Sequence, residues 1–194
     1  MIRSSRNKGK EKTEKKARAA VVIISKKGIL LMHRIKNGRE YYVVPGGEIE
    51  DNETPEEAAK REIMEETNLN IAIKRELMRI SDSYHEGIYY IAEEGKEISR
   101  EELKKEIKIV GPEKNYMDKN NQFIPKWVSK MEIEKITLYP EKIKNKIMLL
   151  LKTKNKSKHA EITAKQIVVL LLIIAFFIAA LIIIKTRLSQ ILSY

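Results

Sequence analysis

Twenty-four residues from Gly46 to Leu69, GGEIEDNETPEEAAKREIMEETNL, leave the chain few conformational choices. Thr54 is a good helix N-cap, Pro55 suits the first helical position, and Glu57, three residues after Thr54, completes a capping box. The pattern predicts a helix over 55–67, ended by Asn68 in the left-handed conformation. Ala59 and Ile63, four apart, form its buried stripe. Glu62, Glu65 and Glu66 fall at i, i+3 and i+4 and cluster on a neighbouring face.

Three carboxylates a turn apart repel one another, and Arg61 neutralises only part of their charge. A hard divalent cation offsets the rest, because Mg²⁺ takes oxygen ligands and bridges to substrate phosphates. A solvated acidic helix face is the plainer alternative. Spacing separates the two. Gly47, five residues, Glu53, seven residues, then REIMEETNL from Arg61 to Leu69 resembles the Nudix box, G-x5-E-x7-R-E-U-x-E-E-x-G-U, where U is aliphatic. The one departure is Asn68 in place of the last glycine, and Asn is the residue that best tolerates positive φ after Gly. Asn52, where many members carry Gly, is the same exchange. The resemblance continues in YYVVPGG (Tyr41 to Gly47) and in IPKWVSKMEIEKITLYPEKI (Ile124 to Ile143), so it spans about residues 17–151.

Composition places the remainder. The chain has 194 residues, enough for one domain with extensions, and no cysteine, which excludes disulfides and thiolate metal sites. Its net charge of +11 is uneven: residues 1–18 carry +6, residues 152–165 carry +4, and residues 19–151 carry −1. Basicity therefore belongs to the arms, whereas a nucleic-acid-binding core would be expected to carry a basic face of its own. Residues 1–16 read as a basic disordered arm without the apolar core of a signal peptide. A solubilising role is the plain reading, and weak contact with anionic lipid or RNA the other. His33, His85 and His159 show no ligand spacing.

Residues 17–25 and 29–35 read as strands joined at Lys26-Lys27-Gly28, with an Asn37-Gly38 hairpin before a strand over 41–44. Strands are expected over 70–80, 85–92, 107–110 and 122–128, with a polar loop over 93–106 that includes a short helix from Ser99. A helical turn is expected over 129–136. Residues 140–151 predict a helix that packs on the sheet through Ile143, Ile147 and Leu150 or Leu151. The fold class is thus α/β: an α/β/α sandwich with a mixed sheet, which the resemblance also implies.

Beyond a Lys-rich linker (152–166) lie eighteen consecutive apolar residues, 167–184, followed by a short tail (185–194). As a helix this run covers roughly 27 Å, close to the ~30 Å hydrocarbon thickness of a bilayer. It reads as a single-pass C-terminal membrane anchor. Five lysines before it, against Lys185 and Arg187 after it, favour a cytoplasmic enzyme domain.

The resemblance implies Mg²⁺-dependent hydrolysis of a diphosphate bond in a nucleoside diphosphate linked to another group, with Mn²⁺ as a substitute. By that likeness Glu62, Glu65, Glu66 and the Gly46 carbonyl hold metal. Arg61 and Glu53 orient them, and the general base is either a box glutamate or Glu113 in the Gly111-Pro112-Glu113 turn. Tyr41 and Arg34 are the candidates for substrate contact; Tyr42, Tyr84, Phe123 and Trp127 are further aromatics that read more readily as core. Tyr84 and His85 stand where ADP-sugar hydrolases of the family carry Pro, which disfavours that subgroup. A nucleoside triphosphate, oxidised or not, is one substrate class left open. The alternative to an enzyme is a non-catalytic Nudix-fold module that binds a nucleotide or a partner at the membrane. Degenerate members usually lose a box glutamate, and all are present here.

Overall fold

The computed structural model describes residues 16–82 and 85–191. The basic arm up to residue 15 and Tyr84 lie outside the described residues. The run Ala19–Ile24 is apolar without alternation, as suits a strand covered on both faces. It forms the middle of β1 (Lys16–Ser25), and its six side chains are all buried. β1 turns into β2 (Gly28–Lys36), which passes through Asn37 and Gly38, both at positive φ, into β3 (Arg39–Val43). β4 (Gly46–Glu48) leads to α1 (Pro55–Thr67), then β5 (Arg75–Ser81), β6 (His85–Glu93), β7 (Asn121–Val128), β8 (Leu138–Tyr139) and α2 (Glu141–Ile191).

The strands form one mixed sheet in the order β5-β6-β1-β2-β3-β8, with β4 added to β1 and β7 to β2. β6 runs parallel to β1, and β1 is antiparallel to both β2 and β4. The sheet therefore forks along β1: residues 23–25 pair with β2, while residues 18–20 pair with β4. The fork opens a cleft beside the start of the box. On one face Ala19, Val21, Ile23 and Leu30 pack with Ala59 and Ile63 of α1 and with Ile88 and Tyr90 of β6. Ile133, Leu138, Ile143 and Ile147 are buried outside that cluster, and Lys144 Nζ donates to the carbonyls of Glu134 and Ile136 (3.1 and 2.7 Å), tying the first turn of α2 to the preceding turn. The result is the expected α/β/α sandwich with a mixed sheet.

Two of the expected strands differ. Residues 107–110 form no strand, because their backbone is drawn to the end of α1 instead: Val110 N donates to the Glu65 carbonyl at 2.7 Å. The strand expected over 70–80 enters the ladder only at Arg75. Before it the chain is extended, with Ala72 N bonded to Glu97 O and Asn70 N to Glu102 Oε1. The polar loop is built as foreseen around Ser99, whose Oγ accepts from Glu102 N before a 3-10 turn at Glu102–Lys104.

The unit from Met148 onward is helical as far as Ile191, so residues 152–166 are helical too. Within it, Ala160–Ala179 is 20 residues long with a mean hydropathy of 2.5 and nothing buried. That is long and apolar enough to cross a membrane. An apolar surface as continuous as Ile167–Ile178, exposed along its whole length, is what soluble domains avoid.

Candidate active site

α1 begins and ends as its sequence dictates. Thr54 is the N-cap, Glu57 N donates to its Oγ1 and Glu57 Oε2 accepts from Thr54 N at 2.7 Å, which closes the capping box. Asn68 takes φ 60°, and its N–H bonds back to Met64. Leu69 N then turns to Thr67 Oγ1, and the Glu65 carbonyl accepts from Val110 N (2.7 Å) and Gly111 N (3.0 Å). A loop more than forty residues downstream thus completes the helix end.

That clasp sets Glu113 against the helix. Carboxylate oxygens of Glu62, Glu65 and Glu113 all lie within 4.8 Å of one another. At that distance each pair repels by about 3 kcal/mol for an effective dielectric of about 20. The helix adds to the strain, because these groups crowd its negative C-terminal end with no basic residue in the last turn. Arg61 relieves part of it: Nη1 donates to Glu62 Oε1 at 2.9 Å and lies 3.6 Å from Glu65. Arg61 is itself held by Glu53, through Nε (3.2 Å) and Nη2 (2.8 Å), and by the Glu48 carbonyl. The pairing holds the Arg61 guanidinium well above its ordinary range and the Glu53 carboxyl below its own.

Glu62 and Glu66 are buried, each only 6% exposed. Burial raises the Glu62 carboxyl, opposed by Arg61, and pushes Glu66 up to about 8, opposed by its bond from Gly46 N (2.7 Å). Glu66 faces that backbone N–H and stands outside the Glu62–Glu65–Glu113 group. The two glycines where the box begins serve this packing. A Cβ on Gly47 would fall 2.1 Å from Glu62 Oε1, and one on Gly46, at φ 144°, would fall 2.2 Å from the Ala19 carbonyl.

The Gly46 carbonyl, a metal ligand by the resemblance, accepts from Arg18 Nη2 at 2.6 Å, and Arg18 also reaches the Val44 carbonyl at 3.3 Å. Sequence reasoning missed Arg18, which looks like an ordinary strand residue until the fork brings β1 under the loop. Arg34 and Tyr41 pair across β2 and β3. Arg34 lies over the Phe123 ring, 3.3 Å from its centroid, and donates to Asn121 Oδ1 at 3.1 Å. Its burial lowers the pKa of its guanidinium. Trp127 packs against the core, as its apolar strand suggested. Among the described residues four buried side-chain polar atoms lack a partner, and one is Glu113 Oε2. An acidic oxygen left bare inside an acidic cluster fits a cation.

Arg18 and Glu48 also line a cavity of about 510 Å³, together with Val43, His85, Tyr89 and Tyr139 among others. Tyr41 meets Tyr139 edge to face at 5.8 Å. The aromatics at the cavity wall are therefore Tyr89 and Tyr139. Neither was singled out by sequence, because β6 reads simply as an apolar strand and Tyr139 as a helix-entry residue.

Residues 14–149 match the family model of the NUDIX domain. The chain belongs to the NUDIX family. Among solved structures it is similar to MutT from work on Aliivibrio salmonicida and Vibrio cholerae, at 14% identity and a TM-score of 0.53, over 71% of this chain and 99% of that one. It is also similar to the MutT protein of Methanosarcina mazei, at 18% identity and a TM-score of 0.51, over 76% and 99% of the two chains. No curated protein matches. At these identities the likeness shows the fold, and the family match over 14–149 makes the chain a Nudix hydrolase, an enzyme of phosphoric anhydride bonds.

Proposed function

We propose that this Nudix hydrolase is a divalent-metal-dependent pyrophosphohydrolase that cleaves a nucleoside diphosphate linked to another group, tethered to a membrane by its C-terminal helix with the enzyme domain in the cytoplasm. The observation that carries the reading is the convergence of Glu62, Glu65 and Glu113 within 4.8 Å, with Glu113 Oε2 unpartnered. An all-oxygen, acidic donor set of this kind suits Mg²⁺ or Mn²⁺. Glu62, Glu65 and Glu113 would hold the ion, which when bound supplies charge neutralisation of the phosphates and activation of water.

The chain's own residues do the rest. Arg61, fixed by Glu53, keeps Glu62 in place and limits the repulsion between Glu62 and Glu65. Glu66, raised by burial and bonded to Gly46 N, holds the Gly46–Gly47 turn against the helix. In this reading the proton of the attacking water goes to a box glutamate or to Glu113. The cavity lined by Arg18 and Glu48 has the size of a small-molecule site, and Tyr89 and Tyr139 offer faces for a base while Glu48 and His85 offer polar edges. Tyr41 stands edge to face behind Tyr139, and Arg34 pairs with Tyr41 across β2 and β3, so neither lines the cavity itself.

The anchor reading rests on the exposed apolar helix over Ala160–Ala179 and the lysines that precede it. One experiment tests both parts. Full-length protein and a variant lacking residues 160–194 are assayed against nucleoside triphosphates, oxidised triphosphates, nucleotide sugars and dinucleoside polyphosphates, with Mg²⁺ or Mn²⁺, beside Glu65→Gln. The expected result is metal-dependent turnover in both forms, cut roughly 10²-fold or more by Glu65→Gln, with only the full chain sedimenting with membranes. A Glu65→Gln enzyme of normal turnover would overturn the assignment of the site, and aggregation of the shortened chain would return the apolar helix to the core.

A further inference from the structure

Gly46 creates a mechanical difficulty for this site. Only glycine fits there, since a Cβ would meet the Ala19 carbonyl at 2.2 Å, and the next residue is also glycine because the Glu62 carboxylate lies over it. Two glycines in succession give the backbone its greatest conformational freedom at the point where Glu62 needs a fixed surface. Something outside the turn must hold it. Glu66 takes the Gly46 N–H. The Gly46 carbonyl, which belongs to the following peptide, is taken by Arg18.

Arg18 is unusual in its own right. It lies on β1, the strand buried on both faces, opposite Glu48 on β4 and beside Gly87 on β6. Half-buried at the cavity wall, it gives its hydrogen bonds to two backbone carbonyls, Gly46 at 2.6 Å and Val44 at 3.3 Å, its charge favours the ionised Glu66 carboxylate, and its Nε is buried without a partner. A guanidinium held this way is costly, and an apolar side chain would serve the strand better. A charge spent on carbonyls makes sense where the direction of a carbonyl matters.

We propose that Arg18 is a positioning residue for the hydrolase site: by gripping the Gly46 and Val44 carbonyls from β1 it fixes the Gly46–Gly47 peptide on which Glu62 rests, and so sets the geometry of the Glu62–Glu65–Glu113 group. Arg18 and Glu66 clamp the two sides of one glycine. Arg18 acts through Gly46 and Glu62, and its loss loosens the acidic group without removing any member of it.

The inference rests on the metal-hydrolase reading for its metal arm only, so the test has two arms on the full-length protein in detergent. Selective ¹⁵N-glycine labelling follows exchange of the Gly46 amide, and electron paramagnetic resonance follows Mn²⁺ binding. Arg18→Met is expected to speed Gly46 exchange about tenfold or more and to weaken Mn²⁺ binding roughly 10- to 100-fold, the range for losing a residue that orients metal ligands. Arg18→Lys, which keeps the charge and a donor, is expected to recover most of both. In turnover the effect falls on kcat, with KM for substrate little changed. Unchanged exchange and affinity in Arg18→Met overturn the proposal, as does a rise in KM alone with exchange unchanged, which would make Arg18 a direct substrate contact. Failure of the wild type to bind Mn²⁺ sinks the metal reading, and the exchange arm still decides Arg18. Should Arg18→Met not fold, Arg18→Gln takes its place, with the same two measurements and the same deciding outcomes.

Discussion

The two ends of α1 are held by different means, and the difference separates stability from chemistry. At the N-terminus Thr54 and Glu57 satisfy each other's backbone within four residues, in the open, with acidic Glu56 and Glu57 agreeing with the helix dipole. At the C-terminus the Glu65 carbonyl is taken by Val110 and Gly111, and the carboxylates of Glu62, Glu65 and Glu113 crowd a pole that repels them. The first end satisfies every local rule. The second breaks several at once, and such conflicts concentrate at functional sites. Relief comes from outside that end of the helix: Glu53 fixes Arg61 against Glu62, and the Val110 and Gly111 amides take the Glu65 carbonyl.

The sharpest way to break the C-terminal end without touching a carboxylate is Gly111→Ala. A Cβ there would fall 2.5 Å from Glu65 Cβ and 2.8 Å from Glu113 Oε2, so the loop must retreat and take Glu113 with it. Activity is expected to drop roughly 10- to 100-fold, with about 1–3 kcal/mol lost in stability from the overpacking. Steady-state kinetics beside urea unfolding checks both. Full activity would mean that Glu113 is dispensable and that Glu62 and Glu65 suffice.

This contrast also explains what could be read in advance. The bounds of α1, its cap and its left-handed Asn68 were all legible, because each depends on residues within one turn of one another. The central strand was legible for the same reason, as an unbroken apolar run. The loop over 107–110 reads as a strand because Ile107, Ile109 and Val110 have the right composition. Only the carbonyl left open at Glu65, invisible in one dimension, turns that backbone toward the helix instead. Glu113 could be suggested by resemblance alone. Arg18, Tyr89 and Tyr139 escaped because a forked sheet, not a pattern, brings them to the cleft. The apolar helix was plain from composition. That the Lys-rich stretch before it is helical as well was not, since its lysines, Ser157 and Thr153 fit a linker equally well.

The buried carboxylate at this end gives a second, smaller test. In metal-free protein Glu66 titrates at about 8 because burial disfavours its charge, against about 4.5 for an ordinary glutamate. The folded state therefore binds more protons than the unfolded state between those values, and stability falls as pH rises across the window. Glu62 is raised by burial too and adds to the same slope. With EDTA present, urea unfolding at pH 5 and pH 8 is expected to show the loss at high pH, and Glu66→Gln is expected to flatten much of it. A slope unaffected by Glu66→Gln would place the titration elsewhere and leave the two ends of the helix electrostatically alike.

The smallest effect belongs to the N-terminal end, and its smallness is the point. Thr54→Ala removes the acceptor for Glu57 N and one of the two donors to Glu57 Oε2, leaving the Thr54 backbone N–H as the other. The cost is about 1 kcal/mol, typical for an N-cap, seen as a fall in Tm of about 4 °C for a domain of this size. Turnover at 25 °C should stay within about twofold of wild type, since the Thr54 side chain touches no member of the acidic group and roughly 12 Å of helix separates it from Glu62 at about 1.5 Å per residue. A loss of activity like that of Gly111→Ala would show that α1 transmits disorder along its length, so that cap and site form one unit. Retained activity with a lower Tm places stability at one end of the helix and chemistry at the other.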